Sequence, residues 1–154
     1  ELRFDNVFHD PHARLNDFLR VQQEALLALC RRTADNKSLL SREIIVDLLM
    51  RLFADVGPGP TQGQAGQPLH PVAIDYIVLG SRLGTEVIRR RLVKADPDIA
   101  MPSYFLAPPV GPVWQRHCAG LDSMAARSPE ADRIVADATE AFKIFDRAAA
   151  AHVS

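Results

Sequence analysis

Apolar residues recur at three- and four-residue steps in five segments of this chain, and nowhere do they alternate. That spacing buries one stripe of a helix, whereas a half-buried strand needs a period of two. Residues 12–32 place Leu15, Phe18, Leu19, Gln22, Ala25, Leu26 and Leu29 on one face. Residues 41–55 repeat the pattern with Ile44, Ile45, Leu48, Leu49 and Leu52, behind Ser41 as N-cap. A helix over 71–94 starts at Pro71 and is apolar nearly all round in its first half, which predicts a central, buried position. Residues 113–126 read as a short helix with Trp114, Cys118 and Leu121 on one side. Ser128-Pro129-Glu130 then opens a last helix over 129–151. The expected fold is all-α, one domain over 1–154.

Two stretches interrupt the helices. Residues 56–70 are rich in Gly, Pro and Gln and read as a flexible surface loop. Prolines at 97, 102, 108, 109 and 112 break residues 96–112 into a structured loop with one turn. The formal net charge of -1 argues against a general attraction to nucleic acid or anionic membrane. No apolar run is long enough to span a bilayer, and no signal peptide is visible. Cys30 and Cys118 show no metal-ligand spacing and read as free thiols of a cytoplasmic protein. The chain opens on Glu1 rather than Met, which leaves open a stretch upstream of it.

The central helix holds an anomaly. Gly80 and Gly84 sit four apart inside it, on one face. Each costs roughly 1 kcal/mol against alanine. Two explanations offer themselves: a second helix packed against the bare backbone, or a large flat ligand lying on it.

The segment Tyr76-Ile77-Val78-Leu79-Gly80-Ser81-Arg82-Leu83-Gly84-Thr85 resembles the distal-helix motif of bacterial haem oxygenases, Y-V-L-E-G-S-x-L-G-G, nearest to the group that accompanies bacterial phytochromes. Eight of the ten positions match or are conservative. Phe18-Leu19-Arg20-Val21-Gln22 is similar to the family's second helix, and Ile45-Val46-Asp47-Leu48 to its next. Phe105-Leu106, Trp114 and Ala138-Thr139-Glu140-Ala141-Phe142 follow its C-terminal course. The resemblance implies a haem-oxygenase-like bundle with a glycine-interrupted central helix and haem as cofactor. It implies haem binding by Gly80, Ser81 and Gly84, with Arg89 or Arg91 meeting the propionates. Cleavage would yield biliverdin, carbon monoxide and iron, with a reductase supplying electrons and a phytochrome-type sensor as partner.

Turnover in that family requires a proximal histidine in the first helix. His9 and His12 are the candidates for the iron ligand, unless the ligand lies upstream of Glu1. The sequence departs from the family pattern at Leu79, in place of glutamate, and at Thr85, in place of the second glycine. Asp5-Asn6 replaces the alanine-threonine pair of the first motif. The alternative is therefore a non-catalytic module of the same shape, acting in regulation or protein interaction. A bare bundle would instead fill the space with Phe8, Phe18 or Phe142. His70 reads as a cap-region residue, His117 as core or boundary, and His152 as terminal.

Overall fold

A computed structural model describes residues 11–34, 38–60 and 66–152, with the side chains of residues 11–13 outside that set. The described residues form five α-helices: α1 (Pro11–Arg31), α2 (Arg42–Val56), α3 (Pro71–Ala95), α4 (Gly111–Asp122) and α5 (Pro129–His152). A 3₁₀ turn, Ser103–Leu106, supplies the single turn expected in the proline-rich loop. No strand exists among the described residues, only an isolated bridge between Thr33 and Leu69. The chain is all-α.

Helix α1 packs between α2 and α5, α3 packs on α5, and α4 rests on α3. Leu29, Leu48, Leu52, Ile74 and Val78 meet in the core, fully buried. Phe18 lies there too, stacked on Phe105 with centroids 5.7 Å apart. It is thus a core side chain and not a plug for a ligand space. Phe142 is 55% exposed on α5 and plugs nothing either, while Phe8 lies outside the described residues.

The ends of the helices follow from local chemistry. Pro71 and Pro112 sit in first turns, where a missing N–H costs nothing. Pro112 accounts for α4 beginning at Gly111, ahead of the expected 113. The His70 ring caps α3, accepting from the Val72 N–H at 3.3 Å, and the Ser128 hydroxyl caps α5, accepting from the Ala131 N–H at 3.1 Å. Ser41 departs from expectation. It stands at the N-cap position of α2 but makes no side-chain cap. Its hydroxyl donates instead to the buried carboxylate of Asp75, at 2.6 Å.

The described parts of the Gly/Pro-rich stretch are fastened down. The Gln23 side-chain amide donates to the Gly57 carbonyl at 2.7 Å, and Arg31 donates to the Pro60 carbonyl at 2.9 Å. The Leu69 N–H donates to the Arg32 carbonyl at 2.8 Å. At Gly59 the backbone comes so close to α1 that a Cβ would lie 2.7 Å from Leu27 Cδ1. The flexible loop expected over 56–70 is therefore pinned along 57–60 and 66–70.

Candidate ligand face on the central helix

The glycine anomaly resolves on one side. A Cβ built on Gly80 or Gly84 meets no atom of the described residues within 4 Å. Among the described residues no helix leans on this backbone, so packing between the five helices does not explain either glycine. Steps of three and four residues place Tyr76, Leu83, Val87 and Arg91 on the same face. Tyr76, Leu83 and Val87 are 39%, 38% and 49% exposed. The result is an apolar strip with two bare backbone positions at its centre and a cation, exposed Arg91, two turns beyond Gly84.

The other expected site residues divide. Arg89 lies at about 180° around α3 from Gly80, by a rotation of about 100° per residue. Its guanidinium is engaged by Glu86, at 2.8 and 2.9 Å. The Arg89 hydrogen bond holds the Glu86 carboxyl down to about 2, with Arg90 adding to it. By that rotation Arg91, and not Arg89, shares the face of Gly80 and Gly84. Ser81 turns inward, donating to Gln22 Oε1 at 3.3 Å. His12 stands in the first turn of α1 with its side chain outside the described residues, and His9 lies wholly outside them.

Behind the face is a buried polar network. The Tyr104 hydroxyl donates to the same Gln22 oxygen at 3.0 Å and lies 3.4 Å from Thr85 Oγ1. Burial pushes the Tyr104 phenol up from its ordinary value, with Thr85 and Arg82 opposing. Thr85 donates to the Ser81 carbonyl one turn back, at 2.9 Å. Arg82 is buried, with no carboxylate partner among the described residues. Its two terminal nitrogens donate to the Tyr104 and Ala107 carbonyls, each at 3.3 Å, and its guanidinium lies 5.3 Å over the Tyr104 ring. It clamps the 3₁₀ turn to α3. Sequence reasoning passed over Tyr104 and Arg82. The one signal for Arg82 was a cation set between the two glycines.

Both departures from the motif point away from the open face. Leu79 is fully buried and Thr85 is tied into the network. Neither side chain narrows the space over Gly80 and Gly84.

On the flank of α3, the Tyr76 ring meets Trp114 and His117 of α4, with centroids 5.8 and 6.1 Å away. Cys30 and Cys118 are free and half-buried, and burial raises the Cys30 thiol above its ordinary value. Among the described residues no group of His, Cys, Asp and Glu is arranged to hold a metal ion, and no helix is long and apolar enough to cross a membrane. No protein-family model, curated protein or solved structure matches the chain.

Proposed function

We propose that the glycine face of α3 binds a planar tetrapyrrole, and that the chain is a haem-oxygenase-like protein. The observation that carries this reading is the open space above two glycines in the middle of a long helix. No described residue packs into the space those glycines leave, and a flat ligand would. Leu83 and Val87 offer apolar contact to a macrocycle, and Arg91 a cation for a carboxylate at its edge. Haem, when bound, supplies the oxygen chemistry itself. This chain's residues would orient it: Gly80 and Gly84 by close backbone approach, and the Ser81–Gln22–Tyr104 network by holding α3 rigid behind it.

Binding and turnover are separate properties and are tested separately. Bound haemin is reduced in air with an electron donor, and biliverdin is followed by its absorbance. Product formation that is lost in His9→Ala or His12→Ala identifies the iron ligand and the enzyme. A Soret band without biliverdin identifies the non-catalytic module. Iron-free protoporphyrin should bind as well, because the glycine face needs no metal. Binding of haemin alone would shift the affinity from the face to the iron.

A further inference from the structure

Helix α4 buries a single residue, and that residue is a histidine. His117 is 3% exposed, the only buried side chain of α4. Its Nε2 is the one buried side-chain nitrogen or oxygen among the described residues with no hydrogen-bond partner. Native interiors rarely leave such a group unmatched. Two aromatic rings flank the imidazole: Trp114 stacks on His117 with centroids 5.7 Å apart and planes 29° apart, and the tilted ring of Tyr76 of α3 closes the cluster. Trp114 is the only tryptophan in the chain.

A neutral imidazole fits this setting, and an imidazolium does not. A charge at His117 would be buried among aromatic carbon with one N–H unmatched. From α3, the helix α4 rests on, Asp75 and Tyr76 face it. The Asp75 carboxylate favours the protonated ring, but it is already occupied by the Leu40 N–H at 3.1 Å and by the Ser41 N–H and hydroxyl at 2.9 and 2.6 Å. We propose that α4 is a flap released by acid: protonation of His117 frees α4 from the side of α3 that adjoins the glycine face. The proposal stands on the α3–α4 contact and holds whatever the glycine face binds.

The sign follows from linkage. Burial lowers the His117 value below its ordinary 6.5, with Asp75 opposing. The released ring therefore binds a proton more readily than the docked one. Docking is at full strength above 6.5 and weakens as pH falls below it. The opening equilibrium should rise about tenfold per pH unit until the docked ring itself protonates.

Two readouts test this on the whole chain between about pH 8 and pH 5, the range in which histidine switches operate. Trp114 emission should shift to the red as pH falls, and hydrogen exchange over 111–122, corrected for its intrinsic pH dependence, should accelerate. Far-UV circular dichroism should show the remaining helices intact. In His117→Phe both responses should vanish. His117→Gln, polar but not titrating, makes the same demand should the phenylalanine variant fold poorly. Flat emission and exchange in the native protein would overturn the proposal. So would a transition that persists in either variant, or one in which all helices melt together.

Discussion

The carboxylate of Asp75, on α3, takes both the backbone N–H and the hydroxyl of Ser41, at 2.9 and 2.6 Å, and so fastens the start of α2 to the central helix. Both residues are buried. Asp75→Ala would leave the two Ser41 donors unmatched in the interior, and the part-buried Leu40 N–H loses its acceptor too. A loss of about 3 kcal/mol is expected, in the range for stripping one partner from a buried charged hydrogen-bond set. Urea unfolding measures it. A change near zero would mean that these bonds do not form.

Gly80→Ala and Gly84→Ala should each stabilise the protein by about 0.5–1 kcal/mol, because alanine is the better helix former and its methyl group enters open space. Thermal unfolding of the two variants decides this. Destabilisation would show that some part of the protein does press on this backbone.

Tyr104→Phe removes the hydroxyl that donates to Gln22 and lies beside Thr85. The ring keeps its edge-on contacts with Phe18 and Phe105, so the expected cost is that of one buried hydrogen bond, about 1–1.5 kcal/mol. Chemical denaturation of the variant, with an unchanged m-value, checks it.

Glu86 should titrate near 2, well below its ordinary 4.5. A depressed carboxyl contributes stability that is full above 4.5, declines as pH falls below it and is gone below about 2, so this corner of α3 should loosen progressively across that interval. Carbon-detected NMR of the Glu86 carboxyl reads the value directly. In Arg89→Ala it should climb back towards 4.5. An unmoved titration would remove Arg89 as the cause.

Five helices were legible in the sequence because each carries an apolar stripe, and two of them also a start signal that acts locally, at Pro71 and at Ser128-Pro129. What was not legible depends on residues far apart in the chain. Ser41 has the chemistry of an N-cap, yet a carboxylate 34 residues on claims its hydroxyl. Gly59 looks like loop punctuation, yet it is the place where the loop touches α1. Arg82 reads as one more cation of a basic helix end, and only the fold carries it inward to the carbonyls of 104 and 107. The glycine pair was conspicuous from the start, but sequence alone left open whether protein lay over it. Arg89 and Arg91 were interchangeable by composition, and the helical rotation separates them, with Arg91 on the glycine side and Arg89 opposite.

The central claim is that the bare backbone of α3 receives a flat ligand, and a titration of the purified protein with haemin tests it most directly. The account predicts a saturable Soret band at one equivalent in the native protein. It predicts the loss of that band in Gly80→Val, with helix content largely unchanged, because the added side chain enters space in which its Cβ meets no described residue. The absence of a stoichiometric band in the native protein, or an undiminished one in Gly80→Val, would contradict it.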